Sequence, residues 1–258
     1  GQVNNEAEMD AGFWEVDPNL RPEGKNGALV RTVAAHAAHY NKWAEPWEFQ
    51  ALLKARFAAG DQELGGQYLL EVKSQIWGDR ERSNLVQHAR QMRKRVIEQI
   101  PSEEKELNIK LGRGGLRDVE FTIQLLQLVH GVVDDTLRDS GTFPAIHALA
   151  EAGLLGRDDA LELQSQYRLL RVIEHRLQLV KLRRAHLVPT DSSDLRRIAR
   201  GVNPRLSAED LRVIWANSRQ EIASLHDTIF FRPLLAATAA LSPGEISLTA
   251  SETESRLV

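Results

Sequence analysis

Residues 110–131 read KLGRGGLRDVEFTIQLLQLVHG, and this stretch decides which fold the chain can form. Its glycines separate a short extended segment from a run in which apolar side chains recur at helical spacing. One face of the run carries Leu116, Val119, Ile123 and Leu126, and a second face carries Phe121, Leu125 and Leu128. A helix with two apolar faces needs neighbours on both sides. The stretch therefore predicts a central, mostly buried helix over 116–131.

The segments on both sides of this helix also have helical patterns. Upstream, apolar spacing predicts helices over residues 29–43, 47–58, 66–77 and 83–100, a loop at 101–106 and an extended stretch at 107–111. Downstream, it predicts helices over 143–152 and 158–181, and a long last helix that begins at Ser207. In the helix over 158–181, the inward stripe should be Leu170, Ile173, Leu177 and Val180. The fold class that follows is mainly α.

The two ends of the chain differ from this helical body. The run 13–17, Phe-Trp-Glu-Val-Asp, precedes Pro18 and a turn-rich segment, a pattern typical of a strand that enters a loop. One strand cannot satisfy its own backbone hydrogen bonds, so we expect the chain to start part-way through an α/β domain. The predicted units are 1–100, the end of that domain with the helices that follow, and 101–241, a helical bundle. Residues 242–258, rich in Ser, Thr and Glu, are predicted to be a disordered tail or linker.

The composition of the 258 residues excludes several classes of protein. Hydrophobic residues make up 42% and charged residues 27%, which argues against wholesale disorder. The net charge of −3 provides no global basic field for nucleic acid, and the lack of cysteine removes disulfides and suits a reducing cytosol. The sequence has neither an apolar run of membrane-spanning length nor a secretory signal pattern. We therefore expect a cytoplasmic protein that binds neither nucleic acid nor membrane.

An acidic pair near the start is the first feature that could carry chemistry. Glu15 and Asp17 would project from one face of the predicted strand, a spacing that suits a divalent cation. The same spacing occurs in edge strands whose acidic residues discourage aggregation. On spacing alone, the edge-strand interpretation is favoured.

The glycine loop at 112–115 is the second such feature. Glycines before a helix let backbone N–H groups approach a phosphate, and Lys110, Arg113 and Arg117 would complement the anion. The loop lacks the Gly-Lys-Ser/Thr ending of a P-loop, and a flexible turn explains the glycines equally well.

Other polar and aromatic residues favour structural roles. Arginines within 80–95 and 168–184 alternate with acidic residues, as on solvated helix faces. The histidines show no zinc-site spacing, and the five tryptophans are predicted to lie in the core rather than to form platforms for a ligand.

Three segments resemble the glutamine synthetase adenylyltransferase family. Residues 16–30 resemble its Val-Asp-x-x-Leu-Arg-Pro-x-Gly signature and the Gly-x-Leu that follows. Residues 47–56 resemble its Trp-Glu-x-Gln-Ala-Leu-x-Lys/Arg-Ala-Arg helix, and residues 109–121 resemble its Ile-Lys-Leu-Gly-x-Gly-Gly segment with the helix start that follows. The three motifs occur in the family's order and spacing, and the likeness continues over 174–189.

The resemblance implies part of a duplicated, bifunctional enzyme. Each half of such an enzyme has a nucleotidyltransferase domain followed by a helical domain, so the implied fold is a helical bundle preceded by the C-terminal remnant of a nucleotidyltransferase α/β domain. One half attaches AMP to a tyrosine of glutamine synthetase, and the other removes it by phosphorolysis to give ADP, under control of the PII signal protein and glutamine. Residues 110–117 and 174–178 are more similar to the removing half. The implied ligands are ATP or ADP, phosphate, and Mg²⁺ or Mn²⁺.

The resemblance also implies roles for individual residues. Asp17 matches the third metal-binding acid of the nucleotidyltransferase site, which makes it a catalytic and metal-binding candidate. Arg21 follows in the same motif and would either contact phosphate or brace the loop.

The glycine-loop motif supplies the remaining candidates. Lys110 and Arg117, with the amides of Gly114 and Gly115, would hold phosphate or the nucleotide. Glu120 would orient one of the two basic groups.

One departure from the family pattern limits what this chain should do alone. The family's Gly-Ser segment and its Asp-x-Asp pair are absent, and a site with one remaining carboxylate should bind metal poorly. We therefore expect an inactive piece of the adenylyl-removing half. The alternatives are a helical module that docks glutamine synthetase or PII without chemistry of its own, or the AMP-transferring half.

Overall fold

The computed structural model describes residues 17–78, 83–181 and 185–231, and within these ranges the protein is built from α-helices. The predicted mainly α fold is confirmed. The nine helices of the described residues are α1 (Val33–Lys42), α2 (Pro46–Leu52), α3 (Gln62–Trp77), α4 (Ser83–Glu98), α5 (Leu116–His130), α6 (Thr142–Glu151), α7 (Arg157–Lys181), α8 (Ser192–Val202) and α9 (Ala208–Phe230). The predicted strand at 13–16 and the tail at 242–258 lie outside the described residues. No helix in the described ranges is long and apolar enough to cross a membrane.

Helix α5 is the central element, as its two apolar faces predict. Its side chains are buried along almost the whole length, and it packs against α4, α6, α7 and α9. Ile123, Leu125 and Val129 are almost completely removed from solvent. The helix begins at Leu116, where the sequence places it, and its last residue is His130.

Several predicted boundaries are wrong. Helix α1 starts four residues later than predicted because the Thr32 hydroxyl accepts a hydrogen bond from Ala35 N (3.1 Å) and so fixes the first turn. Helix α2 ends at Leu52 rather than at residue 58. The stretch 107–111 contributes one isolated antiparallel bridge, between Asn108 and Leu187, and otherwise consists of turns.

Two further corrections concern the C-terminal half. Helix α8 is missing from the sequence prediction, although Asp191 caps it by accepting from Ser193 N and Asp194 N. In α7, Leu170, Ile173 and Leu177 are buried as predicted. Val180 is exposed, so the inward stripe ends one turn earlier.

The apolar core consists of two clusters that are separated along the chain. The smaller cluster joins α1, α2 and α3, and Leu128 of α5 completes it. The larger cluster joins α4 through α9. Helix α4 therefore packs with the larger cluster, whereas the predicted domain division at residue 100 places it with the helices of the smaller cluster. The domain division itself stays a prediction.

Candidate functional site

The backbone amides of the glycine loop before α5 already donate hydrogen bonds to other groups of the protein. The side chain of Asn108 accepts from Lys110 N (3.2 Å) and Leu111 N (2.8 Å). The carboxylate of Asp118 accepts from Gly114 N (2.6 Å), and Gly115 N donates to the carbonyl of Gly112 (3.0 Å). Because the amides of Gly114 and Gly115 already donate within the protein, an anion at this loop has to be held mainly by side chains.

A buried ion pair between α4 and α5 holds the glycine loop in its conformation. Arg93 of α4 and Asp118 of α5 are 2% and 1% exposed, and Arg93 Nε lies 2.5 Å from Asp118 Oδ1. The two remaining guanidinium nitrogens donate to the carbonyls of Leu111 (2.8 Å) and Gly112 (3.1 Å). All three guanidinium nitrogens are therefore satisfied by the loop and by the start of α5, which fixes the loop's shape.

The position of Arg93 corrects the expectation that its basic region is a solvated helix face. Arg93 follows Ala89, a buried residue of α4, by one helical turn, and that spacing places both on the same face of the helix. Gly114 is the other fixed point of the loop. Its φ of +72° favours glycine, and a Cβ there would lie 2.0 Å from the carbonyl oxygen of Arg219.

Arg117 and Glu120 project from the first turns of α5 and form an ion pair. Arg117 Nη1 lies 3.0 Å from Glu120 Oε2, and the Tyr167 hydroxyl of α7 donates to Glu120 Oε1 (3.0 Å). Burial raises the pKa of Tyr167 to about 12, and the nearby Glu120 carboxylate acts in the same direction. Tyr167 is therefore a hydrogen-bond donor at neutral pH. The arrangement agrees with the predicted orienting role of Glu120, which stays a prediction.

Two more basic side chains approach this pair from neighbouring helices. Lys54, just after α2, donates from Nζ to the hydroxyl of Thr142 (2.6 Å), and burial lowers the pKa of Lys54. The charges of Glu120, Arg117 and Arg171 all act on Lys54, which places them around it. Arg171 of α7 also pairs with buried Glu174 (2.6 Å).

We call Lys54, Arg117, Glu120, Tyr167 and Arg171 the basic cluster. It contains three cations and one carboxylate, one of the cations also pairs with Glu174, and it brings together two of the three segments that carry the family resemblance, 47–56 and 109–121. Such partly buried excess positive charge suits an anion. Lys54 belongs to the 47–56 motif but was not predicted as a site residue, and no motif names Tyr167 or Arg171, because the contacts of all three join helices that lie far apart along the chain.

The Asp17 segment forms a separate loop. Asp17 Oδ1 accepts from Asn19 N (3.0 Å) and caps a 3₁₀ turn. Arg21 donates to three carbonyls, those of Gly27 (3.0 Å), Pro18 (2.9 Å) and Lys25 (3.3 Å). Arg21 therefore braces the loop, which is one of its two predicted roles, but it does so through carbonyl groups rather than through an ion pair.

The described residues do not supply a metal site. Over 17–78, 83–181 and 185–231, no group of three or more histidine, aspartate or glutamate side chains could hold an ion. Asp17 is exposed and could provide one carboxylate. Trp47 and Glu48 of α2 line a cavity together with Arg21 of the Asp17 loop, and Lys54 of the basic cluster follows the end of α2 by two residues.

A family model described as GlnD PII-uridylyltransferase matches residues 90–230, which comprise more than half of the chain and include the glycine loop and the Arg93–Asp118 pair. A second model, described as glutamate-ammonia ligase adenylyltransferase, matches residues 5–71 and so includes the Asp17 loop and Lys54. A mainly α protein with these two matches falls in the class of nucleotidyltransferases.

Similar curated proteins narrow the class to one family. The chain is 49% identical over 258 residues to the bifunctional glutamine synthetase adenylyltransferase/adenylyl-removing enzyme of Streptomyces avermitilis, with 100% of this chain and 26% of that protein covered. It is 47% identical over 255 residues to the protein of the same name from Leifsonia xyli (96% and 25% covered). The corresponding values for Mycobacterium leprae are 47% over 230 residues (86% and 23%). The chain belongs to the family of bifunctional glutamine synthetase adenylyltransferase/adenylyl-removing enzymes, and it spans about a quarter of the length of these relatives.

Proposed function

We propose that this chain is part of an enzyme that regulates glutamine synthetase, and that it serves the half that removes AMP from an adenylylated tyrosine by phosphorolysis. The observation that carries the proposal is the basic cluster next to the glycine loop. Phosphorolysis needs a site for inorganic phosphate besides the site for the nucleotide, and the cluster, together with Lys110 of the adjacent glycine loop, offers guanidinium and ammonium donors for that anion. The partly buried position of the cluster strengthens each charge–phosphate contact.

The side chains of Lys110 and Arg117 are the proposed phosphate contacts. Lys110 forms no side-chain hydrogen bond or ion pair with any other described residue, so its ammonium group is available to a ligand. Arg117 holds Glu120 with one nitrogen and leaves the rest of its fork for phosphate oxygens. Glu120 positions Arg117, and the Tyr167 hydroxyl holds Glu120 in turn. Gly114 and Gly115 contribute shape rather than free amides.

The metal requirement implied by the family stays part of the proposal. Mg²⁺ or Mn²⁺ would neutralise phosphate charge during AMP transfer, and Asp17 would provide one ligand. The described residues offer no complete ligand set, and the resemblance implies that the remaining carboxylates belong to the family's Asp-x-Asp pair, which this sequence lacks. For the same reason we expect the chain alone to be inactive.

A docking role is the second candidate, and the surface around α1 favours it. Leu20, Leu29 and Val30 are strongly exposed apolar side chains within eleven residues of sequence. Exposed apolar side chains that form one patch typically contact another protein, and these three lie close together in sequence. Glutamine synthetase and the PII signal protein are the proposed partners.

A phosphorolysis assay tests the proposal. The 258-residue chain and a version extended upstream are each incubated with adenylylated glutamine synthetase, phosphate and Mg²⁺, and ADP release is followed. We expect ADP only from the extended version. ADP from the chain alone would show that its metal site is complete. If neither releases ADP but the extended version incorporates AMP from ATP, the chain serves the transferring half.

A further inference from the structure

The side of helix α8 that faces solvent carries arginines. The core side of this helix consists of three buried residues, Leu195, Ile198 and Ala199. The outward side carries three exposed arginines, Arg196, Arg197 and Arg200. One carboxylate, that of Asp194, lies beside them and pairs with Arg197 (3.2 Å). The helix is therefore strongly amphipathic, with positive charge on the side away from the core.

A fourth arginine joins this surface from α7. A Cβ built on Gly201 would lie 2.8 Å from Arg176 Cδ and 2.9 Å from Arg176 Nε, so the Arg176 side chain lies directly against α8 at Gly201. Gly201 follows Arg197 by one helical turn, which places Arg176 along the same outward side. We call Arg176, Arg196, Arg197 and Arg200 the arginine face.

The positive charge of the arginine face is not neutralised within the described part of the chain. Over the described ranges, Arg176, Arg196 and Arg200 form no side-chain hydrogen bond or ion pair. Nearby acidic residues are already engaged, since Asp191 caps α8 and Glu209 pairs with Arg212 (3.1 Å). Arg196 and Arg200 are four residues apart on one helix, a spacing at which like charges repel each other. An anionic partner would relieve this repulsion.

The choice of arginine indicates what kind of anion fits. Residues 185–219 contain six arginines and no lysine. Arginine is enriched in protein–protein interfaces, whereas lysine is depleted there. The planar guanidinium group can donate two parallel hydrogen bonds to one carboxylate, which the ammonium group of lysine cannot do. These properties favour the carboxylates of another protein.

Nucleic acid and membrane fit this surface less well. Helix α8 contains no aromatic residue on which a base could stack, and its outward side has no apolar residue that could enter a lipid surface. Trp43 (67% exposed) and Trp47 (42% exposed), which were predicted to lie in the core, belong to the segment around α1 and α2 instead. The net charge of −3 also gives the chain no long-range attraction for a polyanion.

We propose that the arginine face binds an acidic surface of a partner protein. The docking role suggested above for the surface around α1 rests on Leu20, Leu29 and Val30, none of which belongs to the arginine face. The two docking surfaces can therefore be tested separately. The proposal also does not depend on phosphorolysis, so either can fail while the other holds.

Binding of an acidic peptide to the 258-residue chain tests the proposal. A fluorescein-labelled peptide rich in glutamate is titrated with the chain and followed by fluorescence anisotropy. The comparison probes are the same peptide with glutamine in place of glutamate and an oligothymidylate of equal charge. We expect the glutamate peptide to bind in a salt-dependent manner, the glutamine peptide not to bind, and the oligothymidylate to bind more weakly than the glutamate peptide.

Two double variants locate the binding surface. Arg196→Ala combined with Arg200→Ala should weaken binding of the glutamate peptide by roughly 2- to 30-fold, the range for loss of two exposed ion pairs. Lys94→Ala combined with Arg95→Ala removes the same charge from exposed positions of α4 and should leave the affinity unchanged. All four side chains are exposed, so both variants should unfold at the urea midpoint of the parent, which controls for folding.

Three results would overturn the proposal. The first is failure of the glutamate peptide to bind at millimolar concentration. The second is an equal loss of affinity in the α8 and α4 double variants, because binding would then follow net charge rather than the arginine face. The third is tighter binding of the oligothymidylate than of the glutamate peptide, which would make the arginine face a contact for nucleic acid.

Discussion

Replacing Arg93 with methionine should be among the most destabilising single changes in the described part of the chain. Methionine fills a similar volume but leaves the Asp118 carboxylate buried without its partner Arg93. The other described ion pair of Asp118 is with His226, whose Nε2 lies 3.6 Å from Asp118 Oδ1. The carbonyls of Leu111 and Gly112 lose their donors as well. Removing one partner of a buried pair costs about 3–5 kcal/mol. That is a large part of the total stability of an ordinary domain.

Urea unfolding followed by circular dichroism measures this cost. With a slope of about 3 kcal/mol per molar urea, the expected loss lowers the midpoint by roughly 1 to 1.7 M. The matched control is Arg113→Met, which breaks the ion pair of Arg113 with Asp227 at the exposed end of the same loop. That exposed pair should contribute no more than about 1 kcal/mol. If both variants shift the midpoint equally, the buried pair does not anchor the glycine loop and the reasoning fails.

Three other changes have defined outcomes. Gly114→Ala forces a Cβ to within 2.0 Å of the Arg219 carbonyl oxygen at a φ of +72°, so it should lower the free energy of unfolding by more than the roughly 1 kcal/mol of an ordinary glycine replacement. An unchanged melting curve would refute the clash. Burial lowers the pKa of His130 to about 4, so the unfolded chain takes up its proton first as the pH falls. The contribution of His130 to the free energy of unfolding should therefore be constant above pH 6.5 and decrease by up to about 3 kcal/mol towards pH 4. The urea midpoint of His130→Gln should decrease less than that of the parent over the same pH window. Tyr167→Phe removes the hydrogen-bond donor to Glu120 and should lower the free energy of unfolding, measured in urea, by about 1 kcal/mol. A loss near zero would contradict that hydrogen bond.

The central part of the fold could be predicted because its signals are local. The two apolar faces of α5 lie within 15 residues, and burial on both sides follows directly from them. Helix α8 could also have been predicted, since Asp191 is followed by Leu195, Ile198 and Ala199 at helical spacing. The early end of α2 could not, because Leu53 leaves the helix to join the core and Lys54 reaches Thr142, 88 residues away.

The candidate site was predicted only where a motif names the residue. Arg117 and Glu120 come from one motif and do form a pair. Arg93 meets Asp118 across 25 residues and Tyr167 meets Glu120 across 47, so both contacts depend on helix packing that no local pattern encodes. The exposure of Trp43 and Trp47 has the same explanation, because composition alone favours burial of tryptophan.

The Michaelis constant for phosphate in the upstream-extended protein tests the phosphate role of Lys110 and Arg117 most directly. Loss of one charge-assisted hydrogen bond to phosphate should raise this constant by roughly 10- to 150-fold in Lys110→Ala and in Arg117→Ala. Arg113→Ala, which removes the third cation of the same loop, should leave the constant unchanged because Arg113 is directed at Asp227. If the Lys110 and Arg117 variants keep the parent's Michaelis constant and turnover, these two side chains do not hold phosphate and the assignment is wrong.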